Sequence, residues 1–406
     1  MINCGTDIVE IDRIKKAVLD TKDFLEKVFA DCEIEYFRKN GERYEILAGF
    51  YAAKEAFSKY LKTGIRDFSL RDVAVDHERL GSPFIKFFGE RQSVSLSISH
   101  NKSTAVAVVC GNSFDGFDRD IAKKMSALLP KRKSDGNKGD FGRILVVAGS
   151  KGMTGAAVLS AYSALRSGSG LVTLSTAESE RAVAASFHPE IMTAGLPCEN
   201  GMISLAAVER IIEFANKSVA VVFGPGLGQS DSIFEILKQL IKSYDKTLVI
   251  DADGLNALSK NSEILKSKNC NIILTPHPGE MSRLTGQTIA DIQSDRKNYA
   301  ERFAAEYDVT LVLKGEGTVV AALDKESYIN QTGNVGMATA GSGDVLSGVI
   351  AALAGQGLCA FDAATLGVYL HGLAGDIAAD EKTVYGMVAG DITEKLPDAF
   401  KLISVK

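Results

Sequence analysis

No Cys-x-x-Cys pair occurs in this chain, and none of its six cysteines (Cys4, Cys32, Cys110, Cys198, Cys270, Cys359) stands at a zinc-ligand spacing from a histidine. That argues against the common structural zinc modules and predicts small buried thiols in a reducing compartment. Long apolar runs are missing too. None approaches the roughly 20 residues of a membrane span, and charges follow so closely on Met1–Asp7 that no secretory leader is visible. These absences predict a cytoplasmic protein with no membrane partner. A basic excess is also lacking: the net charge is −5, which argues against nucleic-acid binding but leaves room for local phosphate-holding pockets. Neither G-x-x-x-x-G-K-[ST] nor a G-x-G-x-x-G turn with an acidic partner appears, so a P-loop and a Rossmann cofactor site are not expected. Internal repeats, low-complexity tracts and coiled-coil heptads are absent.

What is present is a globular composition, 46% hydrophobic and 24% charged, on 406 residues, a length that calls for two domains. Two textures meet near residues 111–140. Up to Cys110 the chain is charged and mixed. Ile8–Leu19 reads as strand then helix, Glu42–Lys62 as helix, and Val94–Ser99 and Ala105–Cys110 as strands flanking a Ser99–Asn101 turn. Gly111–Gly116 is a turn-rich break, Ile121–Leu129 a short helix, and Lys131–Lys138 a solvated, mostly basic connector. Beyond it, apolar runs at Ile144–Val147, Leu171–Leu174, Val219–Phe223, Thr247–Ile250, Asn271–Leu274 and Val309–Leu313 alternate with helical stretches such as Ala156–Ser167, Ser232–Tyr244 and Ser294–Tyr307. Continuous apolar runs between helices mark strands buried on both faces of a mostly parallel sheet. The fold class is therefore α/β. Domain bounds are expected at 1–112 and 131–406, with 113–130 as linker and helix.

In an open α/β sheet, ligands sit beyond the carboxyl ends of the strands. Those ends carry Gly149 to Ala156, Gly224-Pro-Gly-Leu-Gly228, Asp251-Ala-Asp253, Thr275-Pro-His-Pro-Gly-Glu280 and Lys314-Gly-Glu-Gly-Thr318. Packing alone requires turns there, but not this repeated pairing of glycine with Asp, His and Lys. Gly341-Ser-Gly-Asp344 runs straight into an apolar helix, Val345–Leu353. Its glycines let backbone amides approach a ligand, and the helix N-terminus favours an anion. Asp344 is either a first-turn helix acid or a general base for a substrate hydroxyl. Asp251 and Asp253 are either helix caps or site acids.

From about Lys131 to Lys406 these motifs, together with Lys138-Gly-Asp-Phe-Gly-Arg143, resemble the ADP-dependent NAD(P)H-hydrate dehydratases of the ribokinase-like superfamily. The resemblance implies a three-layer domain that repairs hydrated NADH and NADPH (NADHX and NADPHX). ADP or ATP is the expected co-substrate; with ADP it phosphorylates the C6 hydroxyl, and phosphate then leaves to give NAD(P)H and AMP. It implies Asp344 as catalytic base, with Gly341, Ser342 and Gly343 stabilising the moving phosphoryl group. Lys314, Gly315, Glu316, Gly317, Thr318 and Gly343 would hold the nucleotide. Ala156, Gly226, His277 and Asp344 would contact the hydrated dinucleotide. Glu280 would lie beside magnesium and its waters.

Residues 1–110 resemble a different family. Gly5-Thr-Asp-Ile-Val-Glu-Ile-Asp-Arg13, Ala52-Ala-Lys-Glu-Ala-Phe-Ser-Lys59 and Ser97-Ile-Ser-His100 are similar to motifs of the holo-acyl-carrier-protein synthase type of 4′-phosphopantetheinyl transferase. That implies a smaller α+β domain in which Asp7 and Glu55 bind Mg²⁺. Arg13, Lys59 and His100 would contact coenzyme A, with Glu55 and Lys59 assisting catalysis and an acyl carrier protein as acceptor. In such a helix Glu55 and Lys59 would share a face. Two departures stand out. Phe50 replaces the arginine that usually precedes the Ala-Ala-Lys-Glu segment, and Gly81–Arg91 runs quickly into Val94 without the usual helical insertion. The whole is expected to be a bifunctional homo-oligomer. The alternative is a kinase for a small alcohol, such as a vitamin precursor, joined to a non-catalytic oligomerisation module.

Overall fold

The computed structural model describes residues 2–61, 68–78, 81–92, 94–112, 119–132 and 135–404. The Gly111–Gly116 break and the Lys131–Lys138 connector therefore lie partly outside the described residues. The chain forms two compact units, Met1–Phe117 and Asp118–Ser404.

In the first unit, strands Ile2–Glu10, Thr104–Asn112 and Ser95–His100 form an antiparallel sheet with Thr104–Asn112 in the centre. Helix Tyr44–Tyr60 crosses one face of it. Gly5 and Gly49 make this approach possible: a Cβ on Gly5 would lie 1.9 Å from the Ala56 carbonyl, and one on Gly49 would lie 2.8 Å from Ile98. Leu47, Ala53, Phe57, Ala107 and Val109 seal the interface. Alternation along the strands turns Cys4 and Cys110 to the opposite face, where their Sγ atoms lie 2.9 Å apart across the register. The expectation of buried thiols holds only for Cys270; Cys4, Cys32 and Cys359 are exposed, and Cys110 and Cys198 are half-buried. A second antiparallel sheet, Val73–His77 with Pro83–Phe87 and Glu90–Arg91, was not read from the sequence. It is tied to the helices by a buried ion pair, Lys54 Nζ to Glu33 Oε2 at 2.6 Å: Lys54 donates to the Val73 carbonyl, and Glu33 accepts from the Val75 amide at 2.9 Å.

The second unit is built on a nine-stranded sheet. Seven parallel strands run in the order Thr310–Leu313, Asn271–Leu274, Thr247–Ile250, Ala220–Phe223, Arg143–Val147, Leu171–Ala177, Met192–Leu196. An antiparallel pair, Val319–Ala321 and Tyr328–Ile329, extends the edge beside Thr310–Leu313. Both faces are covered, as continuous apolar strands require. Leu145, Val147, Val221, Phe223, Leu248 and Ile250 enter one core with helices Val208–Asn216, Asp231–Ser243, Pro278–Thr285 and Arg296–Tyr307. The alternate residues Ile144, Val146, Val222 and Val249 are equally buried on the other face. There helices Thr154–Arg166 and Ser342–Gly355 pack together. Their approach depends on Gly348, where a Cβ would fall 2.1 Å from the Ser160 carbonyl. The 113–130 segment contains helix Arg119–Leu128, which packs on helices Ala360–Gly386 and Ala389–Ser404. Among the described residues no helix is long and apolar enough to cross a membrane.

Candidate active sites

Register aligns the parallel strand ends, so the residues that follow Phe223, Ile250, Leu274 and Leu313 emerge along one edge. Asp251 follows one strand, Lys314 another, and the two close on each other: Lys314 Nζ lies 2.7 Å from Asp251 Oδ1 and 3.8 Å from Glu280 Oε2. Burial alone would pull the ammonium down, but Asp251 and Glu280 outweigh it and hold Lys314 above its ordinary value. The other oxygen of Asp251, Oδ2, is buried and has no protein partner.

Gly341–Asp344 opens helix Ser342–Gly355 directly above this pair. Gly341 has φ 90°, and a Cβ on Gly343 would lie 3.1 Å from Lys314 Nζ and 3.9 Å from Asp251 Oδ2. No side chain caps this helix; the Ser342 amide donates to the Thr339 carbonyl at 3.3 Å, which leaves the Gly343 and Asp344 amides of the first turn to point at a ligand. Burial, then the charges of Asp251, Asp253 and Glu280, push Asp344 up to about 7 against the opposing pull of Lys314. Asp344 is thus a half-buried acid in the first turn of the helix whose carboxyl titrates near neutrality. Ser342 Oγ lies 3.4 Å from Nε2 of His371, and both residues are buried.

Neither aspartate after Ile250 caps the helix that follows. Asp253 Oδ2 instead accepts from the Gly228 amide at 2.8 Å, fastening the glycine loop. Between them Ala252 takes φ 49° and ψ −118°, a strained conformation for a residue with a Cβ. It turns consecutive carboxylates to different partners. Gly226 and Ala156 come together, since a Cβ on Gly226 would meet that of Ala156 at 3.1 Å. His277 has two duties. Its Nδ1 accepts from the Gly279 and Glu280 amides at 3.0 and 3.3 Å, and the His277 amide in turn donates to the Glu280 carboxylate at 2.8 Å. That fixes the neutral tautomer with its proton on Nε2, which lies 3.5 Å from Glu280 Oε1. Burial, Lys314 and Arg283 depress His277 further.

The loop Lys314–Thr318 is braced from behind. Arg296 donates to the Leu313 carbonyl at 2.8 Å and to the Glu316 carbonyl, and Thr318 Oγ1 donates to Gly315 at 2.9 Å. Gly315, Glu316 and Gly317 line the loop beside Lys314. Arg296 and His371 were missed in the sequence. An arginine on an amphipathic helix and a histidine inside an apolar one carry no local mark of function.

In the first unit, Lys59 Nζ pairs with Asp7 Oδ1 at 2.7 Å, and not with Glu55 one turn away, and also donates to the Thr6 carbonyl at 3.0 Å. Burial, then the Asp7 charge, raises the Glu55 carboxyl, while Lys59, a hydrogen bond from Tyr51 and Arg13 oppose the rise. Asp7, Glu55, Lys59 and Arg13 therefore form one cluster. His100 does not join it: it pairs with Ala105, two residues and two strands from Asp7, about 12 Å between Cα atoms. Phe50, standing where the arginine was expected, is buried against Tyr36 and His77, each ring 5.8 Å away.

With this geometry in place, the family model for NAD(P)H-hydrate dehydratase matches residues 144–398. The chain belongs to the NAD(P)H-hydrate dehydratase family. A second model, for the 4′-phosphopantetheinyl transferase superfamily, matches residues 3–110. The dehydratase unit is 46% identical over 270 residues to a bifunctional NAD(P)H-hydrate repair enzyme of Moorella thermoacetica, covering 66% of this chain and 51% of that protein. It is 42% identical over 277 residues to the ADP-dependent (S)-NAD(P)H-hydrate dehydratase of Neisseria meningitidis serogroup B, covering 67% and 89%. Among solved structures it resembles the ADP/ATP-dependent NAD(P)H-hydrate dehydratase of Bacillus subtilis crystallised with ATP and Mg²⁺. There the identity is 30% and the TM-score 0.60, over 70% of this chain and 97% of that one. The chain spans about half the length of the first curated relatives it matches, 51% for the Moorella protein. The dehydratase unit thus has the ribokinase-like three-layer fold expected from its strand pattern.

Proposed function

We propose that residues 131–406 dehydrate NADHX and NADPHX with ADP as phosphoryl donor, and that residues 1–112 transfer 4′-phosphopantetheine from coenzyme A to a serine of an acyl carrier protein. The observation that carries the first reading is Asp344, an acid held at about 7 at a helix N-terminus that no side chain caps, beside Lys314. In this reading Asp344 takes the proton from the C6 hydroxyl as its oxygen bonds to the β-phosphorus of ADP and AMP departs. The Gly341–Gly343 amides and Lys314 oppose the charge that builds on the phosphoryl oxygens. The C6–O bond of the phosphate ester then breaks, a ring proton is lost and the dihydronicotinamide double bond returns. Lys314–Thr318 with Gly343 hold the nucleotide; Ala156, Gly226 and the Nε2–H of His277 meet the dinucleotide. A kinase for a small alcohol shares the fold but is less supported, because the relatives are dehydratases.

For the first unit, the adjacent carboxylates of Asp7 and Glu55 suit Mg²⁺, a hard cation that takes one or two carboxylates and completes its shell with phosphate oxygens. Bound there, the cation neutralises pyrophosphate charge on coenzyme A. Lys59 and Arg13 add phosphate contacts, and His100 joins across a contact between copies in the homo-oligomer. The cytoplasm is the compartment that supplies these substrates.

The dehydratase reading is tested by incubating the protein with NADHX, Mg²⁺ and ADP or ATP. The expected result is recovery of the near-ultraviolet absorbance of NADH with release of AMP from ADP. Folded protein that restores nothing with either nucleotide rejects it. The transferase reading is tested by the mass of an apo-carrier protein after incubation with coenzyme A: a gain of one phosphopantetheine supports it, and an unchanged mass with the cognate carrier leaves only an oligomerisation role.

A further inference from the structure

Arg296 is the first residue of helix Arg296–Tyr307 and belongs to no motif of the site. Its half-buried guanidinium lies against Gly315, where a Cβ would crowd Nη2 at 3.0 Å. From there the fork reaches two carbonyls, one on each side of Lys314: Nη2 donates to Leu313 at 2.8 Å, and Nη1 donates to Glu316. Each carbonyl shares a planar trans peptide with the N–H that follows it, so the two point in opposite directions. Whatever fixes the carbonyl also aims the amide. The Leu313–Lys314 peptide is held at both ends, because the Lys314 N–H donates to the Pro276 carbonyl at 2.8 Å. The Glu316–Gly317 peptide is held at its carbonyl end only. Its N–H points away from the guanidinium and has no acceptor among the described residues. A Cβ on Gly317, at φ 60°, would meet only Ile329 among them, at 3.6 Å. An unpaired amide at an open glycine lets a ligand atom come close.

We propose that Arg296 is a positioning residue that holds the turn on both sides of Lys314 and so aims the Gly317 amide at the adenine nucleotide. It rests on the assignment of Lys314–Thr318 to the nucleotide in the dehydratase reading. The guanidinium lies behind the turn, so it acts through two peptides and touches no substrate atom. The shape of the fork matters here more than its charge. A lysine ammonium is one point on a flexible stem and does not match two carbonyls set apart on a turn. The turn holds ADP before transfer as well as during it, so a misaimed amide weakens nucleotide binding more than it slows the chemical step. The dinucleotide contacts at Ala156 and Gly226 stand on other strand ends and are left as they were.

The test measures binding of ADP with Mg²⁺ by calorimetry to the full-length parent, to Arg296→Met and to Arg296→Lys, with turnover of NADHX followed alongside. Both variants are expected to bind ADP about tenfold or more weakly. KM for ADP should rise in step, while kcat and KM for NADHX stay within about threefold of the parent. Parental affinity in the Lys variant shows that charge alone suffices, and overturns the fork. Equal rises in KM for ADP and KM for NADHX show a general loosening of the fold, and overturn it too. Should the Met variant fail to fold, the Lys variant carries the test alone on the same outcomes. If the parent binds ADP but restores no NADH, the dehydratase reading fails by itself and the calorimetry still decides: weaker binding in the Lys variant supports the positioning role, and parental binding overturns it. A parent that binds no ADP overturns it outright.

Discussion

Lys314 and Asp251 meet at 2.7 Å although their strands are not neighbours; the strand Asn271–Leu274 runs between them. The end of that middle strand leads to Glu280, so a single ammonium is shared by acids from two strand ends, with a third acid, Asp344, above it. The charge balance of the site follows from this arrangement.

Turnover should rise as pH passes about 7, because Asp344 must lose its proton to act as a base. Asp344→Asn should lower kcat by about a hundredfold or more while ADP still binds. Asp251→Asn removes one of the negative charges that hold the Asp344 proton, so the carboxylate forms more easily and the rising limb moves to lower pH. The pH–rate profiles of parent and variant check this; a limb that stays in place denies the coupling.

Ala252→Gly relieves a conformation that costs of order 1–3 kcal/mol for a residue with a Cβ, against the smaller entropic penalty of glycine. The variant should unfold about 1 kcal/mol harder than the parent in denaturant, yet repair more slowly, because Asp251 and Asp253 are no longer held to their separate partners. A less stable variant would show that the strain is absorbed elsewhere.

Lys54→Met strands Glu33 in the core of the first unit. Lys54 now bonds Glu33 and the carbonyls of Leu70 and Val73, and Glu33 also accepts from the Ala30 and Val75 amides. Breaking one side of such a pair costs about 3–5 kcal/mol. Burial already raises the Glu33 carboxyl against the pull of Lys54, and losing Lys54 raises it further. The folded variant then binds a proton that the unfolded chain releases, so its stability falls as pH rises above the ordinary carboxyl range. Denaturant melts across that range measure the slope, and a pH-independent loss would contradict the account.

Phe50→Arg restores the residue usual in phosphopantetheinyl transferases but should not restore a phosphate contact. Phe50 is 3% exposed, and Tyr36 and His77 stack at 4.2 Å beside it. Replacing it removes a packed ring and forces a charge into its place, at about 3 kcal/mol or more. Improved use of coenzyme A with unchanged melting would show instead that the guanidinium reaches the surface.

Long periodic segments were legible in the sequence. Helix Tyr44–Tyr60 and strands Thr247–Ile250 and Asn271–Leu274 stand where their apolar patterns placed them. Met192–Leu196, Val319–Ala321 and Tyr328–Ile329 were missed: the first is broken by glycine, and the other two are too short to show a period. The strand ends named most of the second site, because a parallel sheet gathers them on one edge. The partners of those residues were not legible. Whether Asp251 capped a helix or met a lysine depended on a contact 63 residues away. Likewise, Lys59 facing Asp7, and not Glu55, depended on how helix Tyr44–Tyr60 crosses the sheet.

Gly348 and Gly343 bear on how freely this chain can vary. At the first, a single methyl group would strike the backbone of the neighbouring helix; at the second, it would crowd the ammonium that faces the turn. A library of random substitutions should therefore show two silent columns only five positions apart on one helix, emptied for different reasons: variants at position 348 lost because they do not accumulate as folded protein, and variants at position 343 recovered as folded protein that does nothing.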